Sequence, residues 1–283
     1  MALKQFYLGS ESVGGEVKLM GVLNVSPESF YSGSVGSSYE QLETIVRAHI
    51  DGGAAWIDIG AQSTAPVPIY GKQTIIPVEI EIERIQRAIK QVREIDTSIE
   101  ISVDTTAAEV AEVALKMECG VINDISGLVA SKGKIAELVA DYGASVILMA
   151  TRERPGDITS VEEGLLYLRK SIKLAEKSGV DPSRISVDPG IGGWQGRSHE
   201  ADLVLLRNIK RFCELEKPVL AAISRKSTVG KIINKPPSGR LAASLAATIY
   251  AIQEKVDIVR THDVQATAEA IKTYQWILNA EKP

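Results

Sequence analysis

The chain has 283 residues, of which 45% are apolar and 24% charged. That supplies a sizeable buried core and argues against disorder. The formal net charge of -4 comes without any block of Lys or Arg, which argues against nucleic acid or an anionic membrane as the partner. No apolar run approaches the ~20 residues a membrane span needs, and residues 1–18 contain no apolar signal core, so a soluble cytoplasmic protein is expected. Cys119 and Cys213 fall in stretches that read as helical and apolar. Free thiols in a reducing compartment are expected of them rather than a disulfide.

Along the chain, short runs rich in Val, Ile and Leu alternate with longer segments of helical period. The runs cover residues 17–24, 55–59, 100–103, 121–123, 145–149, 185–187, 219–223 and 257–259. Helical periodicity is clearest over 79–94 and 106–117. The segment 241–252 is apolar on most sides, so a helix there is expected to pack against something beyond a barrel wall. A last helix is expected over 266–278. Continuously apolar strands imply a sheet covered on both faces, hence parallel strands joined by helical crossovers. Eight such units without a break in composition predict an α/β fold, a closed (β/α)8 TIM barrel forming a single domain over residues 1–283. A dinucleotide-binding sheet would want Gly-x-Gly-x-x-Gly after the first strand, where Asn24-Val25-Ser26-Pro27-Glu28-Ser29 stands. The phosphate-binding pattern Gly-x-x-x-x-Gly-Lys-[Ser/Thr] is also missing from the sequence.

Nearly every apolar run stops on a polar residue. The first ends at Asn24, the third at Asp104, the fourth at Asn123-Asp124 and the sixth at Asp188. The seventh runs into Ser224-Arg225-Lys226-Ser227, and the eighth into Arg260, His262 and Asp263. In a barrel these ends share one face, which carries the active site. A single Asp or Asn there is as readily a helix N-cap, but capping does not call for Lys226, Arg260 and His262 as well. Those three suit an anion, most simply a phosphate or diphosphate. Asp104, Asp188 and Asn123 suit the parallel N–H donors of an amino-heterocycle. Together they suggest a pterin carrying a diphosphate. His49 and His199 are read as structural or solvent-exposed, and no His or Cys spacing suits zinc.

The motifs that carry these residues resemble those of the dihydropteroate synthase family. They are Gly21-Val22-Leu23-Asn24-Val25-Ser26-Pro27-Glu28-Ser29-Phe30, Gly53 to Thr64, Ile101-Ser102-Val103-Asp104-Thr105, Ile122 to Gly127, Asp188-Pro189-Gly190-Ile191-Gly192, Ser224-Arg225-Lys226-Ser227 and Val259-Arg260-Thr261-His262-Asp263-Val264. The resemblance implies a transferase that condenses 6-hydroxymethyl-7,8-dihydropterin diphosphate with 4-aminobenzoate and releases diphosphate. It implies that Asp104, Asn123, Asp188 and Lys226 hold the pterin. Asn24, Arg260 and His262 would hold the diphosphate, Asn24 also serving Mg2+. Thr64 and Ser227 would face the aminobenzene, and Lys226, Arg260 and His262 would carry the catalysis. Family members are commonly homodimers packed through late helices, so a homodimer is expected.

The departures from the family pattern cluster. Ala65 stands where the family has Arg, Ser32 where it has Asp, Gly193-Trp194-Gln195 where it has Phe-Gly-Lys, and Met149-Ala150-Thr151 where it has a Met-His-Met type sequence. All lie on the amine side, where Gly193 is expected to leave extra room. Two alternatives therefore stay open. One is a larger amine, a ribofuranosylaminobenzene phosphate on the route to methanopterin, whose phosphate Arg152 or Arg154 would meet, although a solvated surface loop is the state expected of those two. The other is a pterin-dependent methyltransferase, since the barrel is shared and fold alone does not decide function.

Overall fold

The computed structural model describes residues 5–26, 38–62, 76–194 and 196–280. Thr64, Ser32, Ala65 and Gln195 lie outside them. Two short strands, β1 (Phe6–Leu8) and β2 (Glu11–Val13), form an antiparallel hairpin. The parallel strands that follow are β3 (Lys18–Asn24), β4 (Ala54–Gly60), β5 (Glu100–Asp104), β6 (Val121–Asp124), β7 (Ser145–Met149), β8 (Ile185–Asp188), β9 (Leu220–Ala221) and β10 (Ile258–Thr261). Their order is β8-β7-β6-β5-β4-β3-β10-β9. A parallel bridge between Val187 and Val219 joins the two edges and closes the barrel, with the Val187 N–H donating to the Pro218 carbonyl at 2.9 Å. Each predicted run is thus a barrel strand. The run over 219–223 yields only two strand residues, because the chain turns sharply after it: the Lys226 N–H returns to the Ile223 carbonyl and Arg225 is left-handed at φ +56°.

The helices between strands cover the outside. The one at Val78–Ile95 buries Ile85, Ala88, Ile89 and Val92, the three-and-four spacing of one helical face. Tyr39–Asp51 opens with a capping box between Ser38 and Gln41, and Ser160 and Ser198 cap Val161–Lys177 and His199–Arg207. Ala108–Lys116, Leu241–Gln253 and Val264–Asn279 fall where periodicity places them. Among the described residues no helix is long and apolar enough to cross a membrane. Cys119 sits in the turn after Ala108–Lys116, not within a helix, and Cys213 in a short 3-10 helix, Ile209–Leu215. Both thiols are free; burial pushes Cys119 up to about 12.

The barrel interior is filled at its N-terminal end by Met20, Trp56, Val121, Ile147, Leu220 and Ile258, one from each of six strands, with Leu8 and Val13 of the hairpin packed onto them. The Trp56 indole N–H donates to the Leu8 carbonyl at 2.9 Å. The Gly9 N–H donates to Ser145 Oγ at 2.9 Å, and Arg184 donates to the Gly9 carbonyl at 3.1 Å. The hairpin is therefore a plug on the N-terminal end of the barrel, opposite the polar strand ends. It was not foreseen from the sequence, although Gly9-Ser10 between two three-residue apolar-alternating stretches is a two-residue hairpin signal. Trp56 is fully buried, so Trp56→Ala should lower stability by about 3–5 kcal/mol. Urea unfolding would measure this, and a loss below ~1 kcal/mol would mean the plug does not hold the barrel end.

Candidate active site

Strand register sets the first level of the mouth. Asn24 pairs with Gly60, Gly60 with Asp104, and Asp104 with Asn123. Four neighbouring strands thus present Asn24, a glycine gap, Asp104 and Asn123 in one row. A Cβ on Gly60 would stand 3.5 Å from Asn24 Oδ1 and 3.9 Å from the Asp104 Cβ, so the glycine keeps the space between them open. Asp188 ends β8 opposite Met149.

Two rungs deeper lies Asp58, fully buried and given no role by the sequence reading. One carboxylate oxygen accepts from Ser102 Oγ at 2.6 Å. The other accepts from Asn123 Nδ2 at 3.2 Å and from Arg260 Nε at 2.5 Å. Arg260 also donates to Asp104 Oδ2 at 3.0 Å. The sequence reading set Arg260 apart from the pterin-side carboxylates, and the structure instead joins it to them. Among the strand-end acids, Asp124 is the local one: it accepts from Ser126 and Leu128 N–H groups and shapes its own turn. Asp104 caps no helix, since Ala107 holds that position.

Around the mouth the loops after β8, β9 and β10 interlock. Lys226 crosses the backbone of Gly192, where a Cβ would meet its Cδ at 2.1 Å, and donates to the Ile191 carbonyl at 2.6 Å. Asp188 accepts from the Gly190 N–H at 2.7 Å. Asp202, fully buried, accepts from the Gly192 and Gly193 N–H groups at 3.2 and 2.5 Å and from Thr228 Oγ1 at 2.6 Å. Buried Arg197 pairs with Asp202 and donates to the Ile158 carbonyl at 3.1 Å. Arg225 grips Asp263 with two nitrogens, at 2.8 and 2.6 Å. The His262 N–H donates to Ser224 Oγ at 3.2 Å, and its Nδ1 lies 3.1 Å from the same oxygen. These ties fix Lys226 and Ser227 relative to Arg260 and His262. Of them, the sequence reading quoted Ser224, Arg225 and Asp263 only as motif members and missed Arg197 and Asp202. The signal for that pair was weak: two charges five residues apart, Arg197 in a loop and Asp202 in the first turn of the following helix.

One expectation is corrected here. Gly193 does not leave open room: a Cβ at that residue would lie 1.8 Å from Ser227 Oγ, so the Ser227 side chain already fills the space. Arg152 and Arg154 are exposed on a surface turn, the state expected of them, with Arg152 within 3.8 Å of Asp157 and 3.7 Å of Glu163. His49 is buried rather than exposed and reaches the Val22 carbonyl at 3.0 Å, while His199 opens its helix half-buried.

Burial dominates the electrostatics. It pushes Asp104 up to about 7, against the pull of Arg260 and with added push from Asp58. Asp188 is raised by burial, opposed by Lys226 and the Gly190 N–H. Burial lowers Lys226 to about 8 despite Asp188. For Arg260 burial works against the charge, but Asp58 and Asp104 outweigh it and the guanidinium is strengthened. His262 is held well below the usual histidine range by burial, then by Arg260 and Arg225. At neutral pH it is therefore an uncharged hydrogen-bonding group beside the cations Lys226 and Arg260. Among the described residues no group of three or more His, Cys, Asp or Glu side chains could hold a metal unaided.

A buried row of carboxylates and amide facing a lysine, an arginine and a neutral histidine at a barrel mouth defines an enzyme site for an anionic, donor-rich heterocycle. A family model described as "Pterin binding enzyme" matches residues 20–262. The dihydropteroate synthase of Clostridium beijerinckii is 35% identical over 92% of this chain and 94% of its own. The dihydropteroate synthase of Coxiella burnetii, solved in complex with pteroic acid, superposes with a TM-score of 0.84 at 30% identity, covering 98% of this chain and 99% of that one. The Xanthomonas albilineans enzyme, solved with 4-aminobenzoic acid, gives a TM-score of 0.81 at 32% identity over 98% and 99%. The chain belongs to the pterin-binding enzymes and, within them, to the dihydropteroate synthase family.

Asp104 titrates at about 7 in the folded protein against 3.8 ordinarily, so between those values the folded state carries the extra proton. Its contribution to stability is complete below pH 3.8 and is lost as pH rises through 7, at up to ~1.4 kcal/mol per pH unit. Urea unfolding at several pH values should show this downward slope in the parent and a flatter one in Asp104→Asn. Parallel slopes would contradict the shift.

Proposed function

We propose that the protein, a transferase of the dihydropteroate synthase type, joins 6-hydroxymethyl-7,8-dihydropterin diphosphate to 4-aminobenzoate. The observation that carries this is the joining of Arg260 to both Asp58 and Asp104, which sets an anion-binding cation directly beside the acceptors for the heterocycle. Asp104, Asn123, Asp188 and Lys226 hold the pterin ring, the two acids and the amide accepting and donating along its edge. Arg260, His262 and Asn24 hold the diphosphate. The bond from the methylene carbon to the diphosphate oxygen breaks, its electron pair leaving with the diphosphate. The amine nitrogen then bonds to that carbon and gives up a proton. An arylamine is neutral near pH 7, so charge on the leaving group is the main load, and preorganised donors carry it. Asn24 suits Mg2+, which binds through one or two protein oxygens together with substrate phosphates; the metal would offset diphosphate charge as the bond breaks. Ser227 faces the aminobenzene, a role that its motif implies for Thr64 as well.

Arg152 and Arg154 are exposed on a surface turn rather than gathered with Lys226, Arg260 and His262 at the buried mouth, which favours 4-aminobenzoate over a ribofuranosylaminobenzene phosphate. The retained Arg260 and His262 favour the synthase over a pterin-dependent methyltransferase, which needs no diphosphate site. A cytoplasmic homodimer completes the reading. The helix Leu241–Gln253 turns Ser244 and Thr248 inward and leaves Ala242, Ala246 and Tyr250 outward, and Trp276, Ile277 and Leu278 are exposed on the next helix. Such apolar outer surface suits a symmetric interface.

Purified protein given Mg2+, the pterin diphosphate and either amine should yield dihydropteroate with 4-aminobenzoate, identified by mass spectrometry. Arg260→Ala should slow diphosphate release by roughly 100-fold or more. Product with the phosphorylated amine alone would reassign the substrate, and pterin binding without diphosphate release would sink the synthase reading. Light scattering at micromolar concentration should give twice the monomer mass, and a monomer would remove the dimer.

A further inference from the structure

The helix Val78–Ile95 turns one residue to the core that its apolar stripe does not call for. Ile85, Ala88, Ile89 and Val92 are buried, and the first member of the same stripe is Glu81, only 6% exposed. An apolar side chain four residues before Ile85 would complete the stripe unaided. A buried carboxylate has to be hydrogen-bonded instead. The group that satisfies it is Thr105, whose Oγ1–H donates to Glu81 Oε1 at 2.7 Å. Burial raises the Glu81 carboxyl and the Thr105 hydroxyl draws it back, and among the described residues no cation takes part.

Thr105 directly follows Asp104, and successive side chains along a strand point to opposite faces. Asp104 reaches inward to Arg260, while Thr105 reaches outward to the helix layer. They are the inner and outer sides of one strand end. Thr105 also carries the ladder one step further, its N–H donating to the Asn123 carbonyl at 3.2 Å. The same hydroxyl accepts from the Ala107 N–H at 3.2 Å, just before the helix Ala108–Lys116, where Ala107 offers no side-chain cap. Three residues on from Glu81, Arg84 donates to the Ala61 carbonyl at 3.1 Å, directly after Gly60 at the end of β4. The opening turns of one outer helix thus hold the ends of β4 and β5, and through Thr105 that of β6, from behind the row of Gly60, Asp104 and Asn123.

We propose that Glu81 is a positioning residue for the pterin side of the site: by holding the Thr105 hydroxyl from outside the barrel, it sets where Asp104 and Asn123 stand inside it. This rests on the reading of the mouth as a pterin diphosphate site and adds what fixes the spacing of its acceptors. Glu81 does not itself touch the substrate. Two groups that bond one planar edge lose their shared geometry when the strand ends carrying them shift.

Three variants test it. Thr105→Val keeps the side-chain shape and removes the hydroxyl, and Glu81→Gln keeps an acceptor for that hydroxyl. Glu81→Leu combined with Thr105→Val removes both polar groups and leaves apolar surfaces in contact. Each is titrated calorimetrically with the pterin diphosphate and Mg2+, assayed in steady state with 4-aminobenzoate, and unfolded in urea. Thr105→Val should weaken pterin diphosphate binding about tenfold or more while KM for the amine stays within about twofold, and Glu81→Gln should bind within about threefold of the parent. The double variant separates positioning from packing. Replacing both partners of a buried hydrogen bond by apolar groups can be nearly neutral for stability, so its urea midpoint should return toward that of the parent while its pterin binding stays weak. Recovery of binding together with the midpoint would overturn the assignment. Unchanged binding in Thr105→Val, an equal rise in both substrate constants, or a Glu81→Gln variant as weak as Thr105→Val would overturn it too. Calorimetry reads the assignment even from a parent that forms no product, an outcome that would overturn the condensation alone.

Discussion

The mouth of this barrel is organised around one buried carboxylate. Asp58 has no exposed surface and accepts from Ser102, Asn123 and Arg260. Those residues sit on β5, β6 and β10, and Asp58 on β4. Burying a carboxylate costs several kcal/mol unless it is paired and hydrogen-bonded, so the position of Asp58 dictates where its partners must be. Arg260 is pulled inward to neutralise it and, from there, reaches Asp104. The same contact that satisfies the core thus sets the spacing between an anion-binding cation and the acceptors for a heterocycle. Removing the arginine would leave two acids buried side by side, which is why its charge is strengthened rather than weakened by its surroundings.

The loops repeat this logic farther out. Asp202 with Arg197 secures the glycine loop, and Arg225 with Asp263 secures the turn that carries Lys226 and Ser227. Neither pair needs to touch substrate. Each converts a flexible connection into a fixed support for side chains that do, and preorganised supports are what make electrostatic stabilisation of a leaving group effective. The plug formed by β1 and β2 acts at the other end, closing the barrel there with apolar contacts around Trp56.

The charge state of the site follows from burial more than from composition. His262 stands in sequence beside the cations Lys226 and Arg260, and the dry surroundings with two neighbouring guanidinium groups hold it neutral. Lys226 is brought to about 8 and Asp104 to about 7 by the same desolvation. A ligand bringing a diphosphate and N–H donors would relieve both pressures, favouring a charged lysine and an ionised acid.

The sequence by itself determined the eight strands, their parallel pairing and the face on which the polar residues gather. Continuous apolar runs ending in Asn24, Asp104, Asn123, Asp188 and Arg260 leave little alternative once alternation with helices closes a barrel. It also carried the family, since those endings fall in motifs that run almost the length of the chain. Tertiary structure alone decided what each polar group touches. The same kind of residue at a strand end became a local turn-former at Asp124 and a row member of the mouth at Asp104. Asp58, hidden inside an apolar run, became the anchor, because a strand's inward side chains acquire partners only when the barrel closes. Gly193 reads as empty space in sequence, but the fold fills it with the Ser227 hydroxyl. The physical reason is common to all of these: backbone pattern is encoded locally, whereas hydrogen bonds and desolvation are set by neighbours tens to hundreds of residues away.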